Sequence, residues 1–149
     1  MRGLGRAQGL LAAAILLAVA ACAPGRGWGW HPGAPGAQAA VLDGEIRTVD
    51  AAWAVFRRLV SEVAAVAAAD GNPVPPAAQE RALAMAQNVE PGSFSSLHDD
   101  LVTGRRMELE ALHGFVVRRA ARHGVPVPMS ETIYAILKPW SVRNERTGR

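Results

Sequence analysis

Reactive side chains are concentrated between residues 93 and 123, where serines, histidines, carboxylates and arginines alternate with apolar residues. Ser95 or Ser96 could cap a short helix in which Leu97 and Leu101 lie one turn apart on one face. A serine hydroxyl at a helix N-terminus can also bind a carboxylate, because backbone N–H groups and the helix dipole point the same way. Local sequence leaves both interpretations of Ser96 open.

The other ionisable residues suggest metal or phosphate chemistry only by type. His98, Asp99 and Asp100 are consecutive, and neighbours on a helix point in different directions, so they cannot converge on one metal ion. We predict no metal site. His113 and His123 are ten residues apart and are expected at the surface or an interface.

Arginines supply the positive charge, and the net charge of the chain is only +3. Arg105 and Arg106 form one pair, and a second cluster comprises Arg118, Arg119 and Arg122. Neither is interleaved with aromatic residues or accompanied by a nucleic-acid motif. We therefore predict a solvated basic face and no nucleic-acid partner.

Apolar spacing predicts five helices joined by short connectors, and hence an all-α fold. The first helix spans about 49–69, with a stripe that recurs every three or four residues: Trp53, Phe56, Val60, Val63 and Ala67. The second spans about 76–89, with proline in its first turn. The others are one from Ser95 or Ser96 to Gly104, one from near Met107 to Gly124, and one capped by Ser130.

Residues 93–128 carry their features in a specific order: SFSSLHDDLVTGRRMELEALHGFVVRRAARHGVPVP. A serine pair, an acidic turn, a Gly-Arg break and a glutamate are followed by His-Gly-Phe, Gly-Val-Pro-Val-Pro and then Tyr134. This order resembles the C-terminal domain of ketopantoate reductase (2-dehydropantoate 2-reductase), a family that usually has Asn-Gly at His113-Gly114. The resemblance covers about two thirds of the chain and none of the first forty residues.

The resemblance implies a domain that closes over a Rossmann domain, where NADPH gives hydride to the ketone of 2-dehydropantoate. In this family a lysine acts as general acid beside a glutamate, and a serine and several asparagines hold the substrate. Glu108 corresponds to that glutamate, Ser96 to that serine, and Ser93 stands where a substrate-binding asparagine is common. A place in a first helical turn, which favours acids, would also account for Glu108.

Two parts of the complete enzyme have no counterpart in this sequence. The family's lysine belongs to a Lys-x-x-x-Asn-x-x-x-Asn helix, but no lysine precedes Lys138 and no asparagine precedes Asn72. The glycines of residues 3–9 lack the preceding strand that a dinucleotide-binding turn requires. We expect an incomplete reductase that binds no cofactor alone and acts on a 2-dehydropantoate-like substrate only when a partner completes it.

The expected partner is a Rossmann domain or a second copy of the chain. Relative to the family, the domain lacks the opening helix that would cover the stripe of the first helix. Burying one large apolar side chain is worth roughly 1.5–3 kcal/mol, so an uncovered stripe favours association. Four segments are predicted: a signal-like segment (1–22), a flexible linker (23–40), the helical domain (41–140) and a basic disordered tail (141–149).

The N-terminal segment favours a second function. Arg2 and Arg6 precede an apolar run from Leu10 to Ala21, which is too short to span a bilayer but suits the core of an export signal. Cys22 follows Val-Ala-Ala, as at a lipoprotein processing site. The alternative function is a non-catalytic envelope lipoprotein that contacts the membrane only through this segment. A truncated or shifted reading frame would produce the same run, and the family is cytoplasmic.

Overall fold

The computed structural model describes residues 46–89 and 95–147, and these residues form helices and no strand. The helices are α1 (Asp50–Ala69), α2 (Pro76–Gln87), α3 (Ser96–Thr103), α4 (His113–His123) and α5 (Pro128–Thr147). The predicted all-α fold is confirmed. Ser93, Cys22, the signal-like segment and the linker lie outside the described residues. Among the described helices, none has the length and apolar character that crossing a bilayer requires.

Helix α1 is central, because it packs against α2, α4 and α5. One buried cluster joins α1 to α4 and to the connector before α5: Val63, Val66, Val116, Ala120 and Val127. A second joins α1 to α2 and to the turn between them: Ala64, Ala67, Val74 and Ala78. The stripe of α1 is therefore buried toward its C-terminal end. Nearer the N-terminal end, Trp53 and Phe56 are half-buried, and their rings stack with centroids 5.4 Å apart.

Among the described residues, three glycines lie in the left-handed region that glycine adopts most easily, and the first is Gly71, with φ 80°, in the turn after α1. Gly104 has φ 72° and follows α3, and Gly124 has φ 64° and follows α4, as the sequence predicts. Asp70 follows the last residue of α1, and its Oδ1 accepts hydrogen bonds from Arg119 Nη1 at 3.1 Å and His123 Nε2 at 2.9 Å. Asp70 thus holds the end of α1 against α4.

The side chain of Glu62 joins the middle of α1 to the start of α5. Glu62 is buried, and its Oε1 accepts a hydrogen bond from the Met129 backbone N–H at 2.8 Å. Its Oε2 accepts from Ser130 N at 2.8 Å and from Ser130 Oγ at 2.6 Å. The prediction that Ser130 caps the last helix is wrong, because α5 begins at Pro128 and Ser130 donates to Glu62 from within the first turn.

Three other expectations differ from the structure. The helix expected from Met107 begins only at His113, and residues 104–112 form an irregular loop, called here the Glu108 loop. Residues 141–147 are helical and not a disordered tail, because Ser141 and Asn144 are buried in α5. His113 is not at the surface: it is 7% exposed, and this burial lowers the pKa of its imidazole to about 4.

Replacing Glu62 with alanine should destabilise the domain. Hydrogen bonds to a charged group contribute about 1.5–3 kcal/mol each, so Glu62→Ala should lower the free energy of unfolding by roughly 3 kcal/mol. Denaturant unfolding followed by circular dichroism measures the change. Glu80→Ala, on the exposed face of α2, is the matched control and should stay within about 0.5 kcal/mol of the parent chain. Equal small losses in both variants would contradict the role of Glu62.

The buried His113 should make stability depend on pH. Because its pKa falls from 6.5 to about 4 on folding, the unfolded chain binds more protons between these values. The contribution of neutral His113 is fully present above pH 6.5 and is lost as the pH falls toward 4. Between pH 7 and 4.5, the free energy of unfolding should fall on the order of 2 kcal/mol more than in His113→Asn. Parallel pH profiles for the two proteins would refute this assignment.

Candidate functional site

Glu108 lies in the Glu108 loop with its side chain exposed to solvent. Its two neighbours point the other way: Met107 is 4% exposed and Leu109 is completely buried. This alternation of buried and exposed side chains follows the two-residue period of extended chain and not the period of a helix. The core therefore holds the backbone on both sides of Glu108 while its carboxylate faces outward.

Backbone hydrogen bonds join the Glu108 loop to the start of α4. The carbonyl oxygen of Glu108 accepts from Leu112 N at 3.1 Å, and that of Leu109 accepts from Gly114 N at 3.0 Å. Glu108 itself lies before α4, which begins at His113, and so it is not in a first helical turn.

Asn144 of α5 fixes the beginning of the Glu108 loop. Its side chain is 1% exposed, and Nδ2 donates to the carbonyl oxygen of Asp100 at 3.2 Å and to that of Arg105 at 2.9 Å. Arg105 also pairs with the carboxylates of Asp99 and Asp100, which raise the pKa of its guanidinium. One buried amide thus joins the end of α3, the start of the loop and α5.

Glu110 holds the second half of the Glu108 loop through both its side chain and its backbone. Glu110 Oε1 accepts from Tyr134 Oη at 2.7 Å and from Lys138 Nζ at 2.5 Å. Oε2 accepts from Arg118 Nη1 at 2.5 Å, and the Glu110 carbonyl oxygen accepts from Arg118 Nη2 at 2.9 Å. We call these four side chains the Glu110 cluster.

The carboxylate of Glu110 is ionised over the whole neutral range. Hydrogen bonds from Lys138 and Tyr134, with a smaller contribution from Arg118, lower the pKa of Glu110 to about 2. The same bonds to Glu110 raise the pKa of Lys138 and of Tyr134. Lys138, the single lysine of the chain, is therefore committed to Glu110.

Gly114 allows the Glu110 cluster to lie against the first turn of α4. A Cβ atom at this position would come within 2.6 Å of Glu110 Oε2, 2.9 Å of Arg118 Nη1 and 3.2 Å of Tyr134 Cε2. These distances are shorter than van der Waals contact, so the charged side chains would have to move. The glycine of the His-Gly-Phe motif therefore leaves room for the ends of the Glu110 and Arg118 side chains.

The two serines at the start of α3 have different roles. Ser95 is the cap, and its Oγ accepts a hydrogen bond from His98 N at 3.2 Å. Ser96 is the first residue of α3, and its side chain is exposed. Because α3 has eight residues and is roughly 12 Å long, Ser96 lies at the opposite end of α3 from the start of the Glu108 loop. Ser93 lies outside the described residues.

Sequence reasoning singled out Glu108 and Ser96 but missed the residues that hold the Glu108 loop. Tyr134 and Lys138 are four residues apart, so they lie on one face of α5, and this spacing with a nearby acid was a usable signal. Asn144 carried no such signal, because a single asparagine near the end of a chain is usually exposed.

The description "Ketopantoate reductase PanE/ApbA C terminal" belongs to a family model that matches residues 37–141. The chain is 40% identical over 83 residues to a 2-dehydropantoate 2-reductase of Caulobacter vibrioides, covering 56% of this chain and 29% of that protein. It is 38% identical over 84 residues to the protein of that name from Halobacterium salinarum, covering 56% and 27%. It therefore spans less than a third of the length of these relatives.

Solved structures of ketopantoate reductases have the same fold. A dimeric ketopantoate reductase from Staphylococcus aureus superposes with a TM-score of 0.75 at 19% identity, over 93% of this chain and 44% of that one. A 2-dehydropantoate 2-reductase from Methylococcus capsulatus superposes with a TM-score of 0.68 at 25% identity, over 95% and 40%. The family model matches residues 37–141, which are most of this chain, so the chain belongs to the ketopantoate reductase C-terminal domain family.

Proposed function

We propose that this chain supplies the substrate-facing helical part of a 2-dehydropantoate 2-reductase. Glu108 is the carboxylate that supports the general acid, Ser96 contacts the carboxylate of the substrate, and Ser93 is a further candidate for substrate binding because it stands where the family commonly has a substrate-binding asparagine. The observation that carries the proposal is the exposed carboxylate of Glu108 on a loop whose neighbouring side chains are buried. Ser95 caps α3 and the side chain of Ser96 is exposed, so the hydroxyl of Ser96 can reach a ligand.

The proposed chemistry requires a proton for the ketone oxygen of the substrate while hydride reaches its carbon. A lysine ammonium suits this step, and a carboxylate nearby favours its charged form. Lys138 is a poor candidate for the proton donor, since it is bound to Glu110 at 2.5 Å. The general acid would therefore come from outside this chain's described residues, and Glu108 would orient and stabilise it.

NADPH, the hydride source that the family resemblance implies, would be held by a Rossmann domain. The described residues form helices and no strand, so they provide no strand-to-helix turn of the kind that binds a pyrophosphate. The chain also spans less than a third of its named relatives, which leaves room for such a domain in each of them. The half-buried pair of Trp53 and Phe56 offers an apolar surface for a Rossmann-domain partner or a second copy of the chain.

The sequence of the N-terminal segment favours a second candidate function. The apolar run from Leu10 to Ala21 and the following Cys22 fit a lipoprotein signal, and the helical domain would then serve as a binding module at the cell envelope. Mass spectrometry of the protein from its own host separates the two locations. A mature chain that begins at a lipidated Cys22 would support the envelope function, and an unmodified full-length chain in the cytoplasm would exclude it.

The purified chain alone should neither bind NADPH nor reduce 2-dehydropantoate, because the proposed reaction takes its cofactor site and general acid from elsewhere. A Rossmann domain from a relative, carrying that family's lysine, should restore turnover when mixed with the chain. Loss of NADPH absorbance on addition of 2-dehydropantoate measures the rate. Turnover by the chain alone, free of contaminating reductase, would overturn the proposal.

The role of Glu108 is tested in the same mixture. A carboxylate shifts the pKa of a neighbouring ammonium by about one to three units, so Glu108→Gln should lower the rate by roughly tenfold or more. Glu80→Gln makes the same chemical change on the exposed face of α2 and should leave the rate unaltered. Equal rates for the two variants would remove Glu108 from the mechanism.

A further inference from the structure

The Glu110 cluster is poorly explained as a source of stability. The side chains of Arg118, Lys138 and Glu110 are 53%, 38% and 41% exposed, and ion pairs at such positions contribute little to folding. Their geometry is nevertheless highly constrained. Arg118 contacts both the carboxylate and the carbonyl oxygen of Glu110, and Tyr134 and Lys138 bind the other carboxylate oxygen.

This geometry fixes the direction of the main chain at Glu110, two residues after Glu108. The bond from Arg118 to a backbone oxygen restrains the peptide group itself and not only a side chain. At the other end, Asn144 restrains the carbonyl oxygen of Arg105, three residues before Glu108. Between these two points Met107 and Leu109 are buried, so little freedom remains for the backbone of Glu108.

Gly114 lies against the Glu110 cluster, so a side chain at this position would disturb it. Alanine is a better helix former than glycine, although the full difference of about 1 kcal/mol applies inside a helix and not in its first turn. The chain nevertheless has glycine at the second residue of α4, where a methyl group would displace Glu110 and Arg118.

We propose that Glu110, Gly114 and Asn144 are positioning residues for Glu108. They hold the Glu108 loop so that its exposed carboxylate keeps one place and one direction relative to α4 and α5. Catalytic groups need to be held within roughly 0.5 Å of their productive geometry, and the cluster provides that restraint. This inference rests on the proposed function of Glu108, although the restraint itself is measured without substrate.

Order in the Glu108 loop is measured by ¹⁵N relaxation of the full chain. In the parent chain the amides of residues 107–111 should have order parameters near 0.85, the usual value of rigid backbone. Glu110→Ala removes the carboxylate that accepts from Tyr134, Lys138 and Arg118 Nη1 and leaves only the bond from Arg118 Nη2 to the backbone carbonyl oxygen, so it should lower these values below about 0.6. Gly114→Ala keeps every charged group but displaces the cluster, and should lower them in the same direction. Glu80→Ala should change none of them.

The rate of the mixture with a Rossmann domain gives the second measurement. Gly114→Ala should lower kcat by roughly tenfold or more while KM stays within about twofold, because a misplaced carboxylate is felt mainly in the transition state. A purely structural role would leave kcat per folded molecule unchanged. Circular dichroism determines the folded fraction, and Gly114→Ala decides the question if Glu110→Ala does not fold.

The outcomes separate this inference from the proposed function. A rigid loop in both variants, or loosened loops with an unchanged kcat, would overturn the positioning role. A loop that loosens in both variants while the parent mixture shows no turnover would uphold the restraint on the Glu108 loop and overturn the function proposed for Glu108.

Discussion

A single buried carboxylate, Glu62 in the middle of α1, is the interaction on which the rest of the structure depends. A buried charge is tolerated only when it is hydrogen-bonded, and all three of its donors come from the first turn of α5. A negative charge at this place is also favoured by the dipole of α5. Glu62 therefore fixes where α5 begins and which way it leaves α1, across about 67 residues of sequence.

Helix α5 then determines the geometry of the candidate site. Tyr134 and Lys138 reach Glu110 from one face of α5, and Asn144 reaches the start of the Glu108 loop two turns later. The loop has no regular structure of its own, so its shape depends on these contacts and on the burial of Met107 and Leu109. Contacts through α5 thus connect the carboxylate of Glu62 in α1 to the loop that carries Glu108.

The helices were the predictable part of this structure, because apolar spacing and helix-ending glycines are local signals. The stripe of α1, the proline that opens α2 and the stops at Gly104 and Gly124 all act within a few residues of themselves. The resemblance that pointed to Glu108 and Ser96 also rested on contiguous sequence. Family membership and the all-α fold could therefore be recognised without coordinates.

The misplaced elements depend on contacts between distant residues. Leu109 fits the apolar period of α4, but it belongs to the Glu108 loop and is buried there. The apolar pattern therefore predicts a helix that starts several residues too early. Ser141 and Asn144 are polar, so hydropathy could not show that the end of α5 is buried. Glu62 lies off the apolar stripe of α1, and only the structure shows its donors on α5.

Native-state hydrogen exchange is the most direct test of this dependence. The amides of Arg105, Leu112 and Gly114 report hydrogen bonds within or beside the Glu108 loop, and that of Ser130 reports the bond to Glu62. If the loop is held by α5, all four amides should open with the same free energy as one cooperative unit. Exchange of the three loop amides at rates far above that of Ser130 would show that the loop moves independently of α5.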